Sequence, residues 1–138
     1  MTRKKKILLG VIAFFILIIT YNFIPKSLTW IIYSNQANIK NIIVKDGSSG
    51  YEFTLDDDAK EQVLNYLYSV RYRRKIDLKA SGGWSYRLEL SSFFGKRTIT
   101  LEGDDALRIG RKAFITLDAE AIKNLRDYLD EINEFIPF

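Results

Sequence analysis

The chain has 138 residues, 47% of them hydrophobic and 14% aromatic, which is enough large apolar surface to close one core and too much for a disordered tail. Four of its 21 basic residues, Arg3 to Lys6, stand at the N-terminus; the other 17 match the 17 acidic ones, so the net charge of +4 belongs to the tail and nucleic acid is not an expected partner. Without cysteine or histidine the chain can form no disulfide, no lipidated cysteine, no Ser-His-Asp or Cys-His catalytic set and none of the usual zinc sites.

Residues 1–6 read as a basic cytoplasmic tail. Ile7 to Ile24 is then an almost unbroken apolar run. As a helix rising 1.5 Å per residue it is about 27 Å long, against a hydrocarbon core of about 30 Å. No polar face interrupts Ile7 to Ile19, which argues against a core helix. A cleaved signal peptide shares the basic start, but the run exceeds the usual apolar region of about 7 to 15 residues, and Asn35-Gln36-Ala37 makes a poor cleavage site. The expectation is a retained signal-anchor helix over 7–24 in the cell membrane, with the N-terminus cytoplasmic and the rest extracytoplasmic. Pro25 marks its weakening or end, and Tyr21, Trp30 and Tyr33 suit the far interface. Residues 25–38 read as a juxtamembrane linker rather than a surface amphipathic helix.

The remainder, 39–138, is expected to form one α+β domain. Ile39 to Lys45, a turn at Asp46-Gly47-Ser48-Ser49-Gly50, and Tyr51 to Leu55 have the pattern of a hairpin. Asp56 to Asp58 then open a helix over about 57–71 with Ala59, Val63, Tyr66, Leu67 and Val70 on one face. After Ser81-Gly82-Gly83 the chain alternates, Trp84, Tyr86, Leu88 and Leu90 pointing to one side. Turns at Phe94-Gly95-Lys96, at Gly103-Asp104-Asp105 and around Gly110 separate three further strands, Arg97 to Glu102, Ala106 to Ile109 and Lys112 to Leu117. A last helix carries Ala121, Ile122, Leu125, Tyr128, Leu129, Ile132 and, at its end, Phe135. The layout is ββα-ββββα, an antiparallel sheet with two helices. Thr54-Leu55-Asp56 and the helix after it are echoed 62 residues on by Thr116-Leu117-Asp118 and the last helix; a duplicated unit and two independent good caps both explain this.

The Asp56–Asp58 run reads as a helix cap, because a calcium loop's central Gly and terminal Glu are absent. Gly82-Gly83 lacks the phosphate-loop pattern, and Asp104-Asp105 stand in a turn rather than as a pair flanking a cleft. No cofactor, metal site or catalytic set is expected. The dense basic run Arg71-Tyr72-Arg73-Arg74-Lys75, with Lys79 nearby, reads either as cations satisfying a helix C-terminus or as a binding patch joined by Arg108, Arg111 and Lys112. Trp84, Tyr86, Phe93 and Phe94 read as core or as an exposed aromatic surface; adjacent Phe93 and Phe94 would face opposite ways in a strand, leaving one as an exposed anchor. The functional expectation is a noncatalytic, membrane-anchored interaction or sensing module acting on another envelope protein. Its alternative is a binder of anionic wall polymer or lipid head groups through the basic patch.

Overall fold

The structure, a computed structural model, describes residues 2–76, 84–102 and 106–134. Lys79, Ser81-Gly82-Gly83, Gly103-Asp104-Asp105 and Phe135 lie outside the described residues.

Helix α1 covers Arg3–Phe23, and the Thr2 side chain caps it by accepting from Lys5 N at 3.4 Å. Ile24 is already extended (φ −70°, ψ 134°), as the residue before a proline must be to avoid the Pro25 ring. None of its side chains is buried, so this long apolar helix has no protein core around it. It is long and apolar enough to cross a membrane.

The stretch 25–38 is built into the domain, which corrects the linker reading. Lys26–Ser27 form the short strand β1, paired antiparallel with a later strand, and Leu28–Ile32 form helix α2. Leu28 is fully buried and Ile32 nearly so, both within the one hydrophobic core. Tyr33, in the left-handed region at φ 55°, closes α2, and Gln36–Asn38 add one 3₁₀ turn.

The domain proper runs β2 (Ile39–Asp46), β3 (Glu52–Thr54), α3 (Asp57–Tyr68), β4 (Arg71–Lys75), β5 (Tyr86–Ser92), β6 (Gly95–Glu102), β7 (Ala106–Ile109), β8 (Lys112–Thr116) and α4 (Ala119–Glu134). With β1 these make one antiparallel eight-stranded sheet in the order β1-β4-β8-β7-β6-β5-β2-β3. The α+β class stands as expected, with two strands more than the sequence pattern counted, β1 and β4. The expected helix stops at Tyr68, and the basic run after it is strand β4, held between β1 and β8. Its one apolar member supplies the reason: Tyr72 turns into the core at 1% exposure and its hydroxyl donates to Leu67 O at 2.6 Å, satisfying a carbonyl that the end of α3 leaves open.

Helices α3 and α4 both pack on one face of the sheet. Val63, Leu64 and Leu67 of α3 and Ile122, Leu125 and Leu129 of α4 meet Ile42, Val44, Leu88, Leu90, Ile99, Leu101 and Leu107. Tyr66 and Tyr128 touch at a ring-centroid distance of 6.0 Å. The echo at offset 62 covers caps and helices: Asp56 Oδ1 accepts from Ala59 N at 2.8 Å, and Asp118 Oδ1 from Glu120 N at 3.2 Å. It does not extend to the strands before them, where Leu55 is 7% exposed and Leu117 57%, facing opposite ways.

Candidate functional site

The pleat divides the basic residues read as one patch. On β4, Arg71, Arg73 and Lys75 are exposed on the sheet face opposite the helices, while Tyr72 and Arg74 point to the helix side. Tyr72 is a core residue and not a contact residue, and burial pushes its hydroxyl pKa up. Arg108 also lies on the open face, its Nε 3.0 Å from Glu102 Oε1 and its guanidinium donating to Arg111 O at 3.1 Å. Arg111 is exposed in the β7–β8 turn, and exposed Lys112 falls on the side of Arg74.

On that side Arg74 and Lys112 meet a cation the sequence reading did not include, Lys26. The three line a small cavity of about 110 Å³ together with Tyr21, Trp30, Tyr33 and Phe114. Arg74 lies 6.0 Å from the Phe114 ring centroid and Lys26 Nζ 3.6 Å from that of Tyr21. Burial lowers the Lys26 pKa, and the neighbouring Lys112 charge lowers it further. Two ammonium groups with a guanidinium beside them form a pocket suited to an anion. Arg71 lines an adjoining hollow of about 320 Å³ with Tyr21, Pro25 and Trp30. The signal that would have found Lys26 is the pairing of β1 with β4, which no local pattern encodes.

The open face of the sheet carries a depression of about 530 Å³ among Lys45, Glu52, Arg87, Glu89, Thr98, Thr100, Glu102 and Arg108. Three ion pairs join its strands: Lys45 with Glu52 at 4.0 Å, Lys96 with Glu89 at 3.3 Å, Arg108 with Glu102 at 3.0 Å. Arg87 lies 4.4 Å over the Trp84 ring, so Trp84 is half-buried under a cation while Tyr86, Leu88 and Leu90 fill the core. No described helix covers this face.

A third polar cluster ties the β2–β3 turn to α4. Burial alone would raise the Asp46 carboxyl, but hydrogen bonds from Ser48 N (2.9 Å), Ser48 Oγ (2.9 Å), Asn133 Nδ2 (2.9 Å) and Ser49 Oγ (3.0 Å) outweigh it and hold its pKa at about 2. Tyr86 donates to Asp130 beside it, and its own pKa is raised first by burial and then by that bond. A carboxylate pinned in the ionised state by four donors is a structural acceptor rather than a proton carrier. Asp57 of the acidic run pairs with Lys60 at 3.8 Å, and Asp56 is the cap already described.

Both Phe93 and Phe94 are exposed, at 75% each, which corrects the expectation that only one would be; they form the β5–β6 turn instead of a strand. No protein-family model, no curated protein and no solved structure matches this chain.

Proposed function

We propose that the chain is a noncatalytic, single-span module of the cell membrane, N-terminus cytoplasmic, which holds its domain outside the cytoplasm and binds another envelope protein through the open face of its sheet. The observation that carries this reading is the layer arrangement. Helices cover one face of an eight-stranded sheet, and the other holds a depression crossed by three ion pairs, Lys45 with Glu52, Lys96 with Glu89 and Arg108 with Glu102. A depression lined by paired charges suits a shaped protein partner, because complementary charge pairs set specificity and register while contributing little net attraction. Photo-crosslinking in living cells from Thr98 or Arg73, both on this face, should give a recurrent adduct, and Lys123 on the outside of α4 should give none. Absence of any adduct from the open face would count against the reading.

A second reading, binding of anionic polymer or lipid head groups, draws on the cavity shared by Lys26, Arg74 and Lys112. The pleat makes it separable: Arg74→Glu should weaken salt-sensitive binding to anionic vesicles or wall fragments, whereas Arg73→Glu, on the other face, should weaken the protein adduct.

A further inference from the structure

The strand registers gather four parts of the chain at one end of the sheet. β1 runs antiparallel to β4, so the chain leaves α1 and enters the sheet from the end where β4 finishes at Lys75. Lys75 pairs with Ala113, which brings the β7–β8 turn to the same end, and Gly110 N donates to Thr98 O. β6 begins at Gly95, three residues before Thr98, so the β5–β6 turn projects about 10 Å past the β7–β8 turn at about 3.3 Å per residue.

What stands at this end is unusual for a water-facing surface. The tip of the projecting hairpin is Phe93-Phe94, an edge-to-face ring pair at 5.5 Å. Backbone geometry does not call for these side chains, because the left-handed requirement of the turn falls on Gly95 at φ 128°. Phe94 lines a cavity with Tyr33, and Tyr33 in turn lines the cationic cavity beside Trp30 and the end of α1. Tyr33 is 74% exposed and Trp30 65%. The aromatic surface is therefore continuous from the apolar helix to the hairpin tip.

The charges divide the same way. Residues 24–41, 73–76, 91–98 and 109–114, which build this end, hold nine Lys and Arg and no Asp or Glu, although the chain beyond its N-terminal tail is neutral. Lys96 is shared with Glu89, and the acidic first turn of α3 enters beside β2, where Lys60 offsets it and donates to Lys40 O. Exposed aromatics that continue a membrane-length helix, set among cations, match the boundary of an anionic leaflet, where rings take the apolar layer and ammonium or guanidinium groups take lipid phosphates.

We infer that this end of the sheet is a second bilayer contact: Phe93 and Phe94, with Trp30 and Tyr33, enter the head-group boundary of the membrane that α1 crosses, and Lys26, Arg74 and Lys112 engage anionic lipid phosphates. The inference rests on the reading of α1 as a span, but not on which side of the membrane the domain lies.

The absence of cysteine allows a unique environment-sensitive label through Phe94→Cys, with Glu52→Cys, in β3 beside the far end of β2, as the control. The full chain is reconstituted in phosphatidylcholine vesicles with or without phosphatidylglycerol, carrying a shallow quencher lipid. Expected are a blue-shifted emission at 94 and quenching several-fold stronger than at 52, greater in the anionic vesicles and reduced there by Arg74→Glu with Lys112→Glu. Absence of quenching at 94 while the chain still floats with the vesicles would overturn the inference and leave the anchor reading intact. Equal quenching in both lipid mixtures would also overturn it. So would a shift at 94 that ignores quencher lipid and grows with protein density, which would assign the tip to a second copy. Failure to float would refute the span itself.

Discussion

Replacing Asp46 with Asn tests whether the cluster at the β2–β3 turn holds α4 in place. The substitution keeps the shape, removes the charge, and sets an amide N–H₂ against donors that now meet a carboxylate oxygen. The depression of the pKa from 3.8 to about 2 corresponds to at most about 2.5 kcal/mol of stability, and because the site opens on a groove, water screens part of it, leaving about 1–2 kcal/mol. The sign follows from a folded-state pKa below the unfolded one. The contribution is complete above pH 3.8 and disappears as pH falls through about 2. Urea unfolding of the detergent-solubilised chain, followed by tryptophan fluorescence with Trp30 replaced by Phe so that Trp84 in the same groove is the reporter, reads this directly. Wild type should exceed Asp46→Asn by about 1–2 kcal/mol at neutral pH, and the gap should close between about pH 4 and pH 2. Equal midpoints at neutral pH, or a gap that persists unchanged in acid, would refute the reasoning.

Other expectations are independent of this one. Leu28→Ala should destabilise the domain by about 2–5 kcal/mol, as truncation of a fully buried side chain does, and a chain starting at residue 39 should unfold more readily still; both are read by the same urea titration. Tyr72→Phe should cost about 1 kcal/mol, the net worth of its bond to Leu67 O, with no effect on binding to anionic vesicles. Gly47→Ala should lower the thermal midpoint sharply, because a Cβ there would run into the Trp84 carbonyl while Gly47 N donates to Ser85 O at 2.8 Å. Leu125→Ala, at the centre of the helix layer, should cost about 2–5 kcal/mol by thermal unfolding.

The elements that were legible in the sequence are those whose burial is periodic. Val63, Leu64 and Leu67, then Ile122, Leu125 and Leu129, recur at helical spacing, and Tyr86, Leu88 and Leu90 alternate, so α3, α4 and β5 could be placed before the structure was known. β4 was not legible because it carries one buried ring among four cations, and its strand state comes from neighbours on both sides rather than from its own pattern. Residues 25–38 failed for the same reason: two buried side chains, Leu28 and Ile32, are too few to reveal a face, and they are ordered by a sheet edge formed from residue 71 onward. The candidate site followed suit. Its residue types were visible, but the pleat that sends Arg73 and Arg74 to opposite faces and the pairing that adds Lys26 to Arg74 and Lys112 depend on contacts distant in sequence.

Between the last turn of α1 and the first hydrogen-bonded residue of the sheet stand only Ile24 and Pro25, both with restricted backbones. A junction this short leaves little room to swivel. Tilting or rotating the apolar helix then tends to carry the eight-stranded plate with it, so the direction in which the open face looks depends on how the helix leans in its surroundings, and a partner that gripped either part would report on the other.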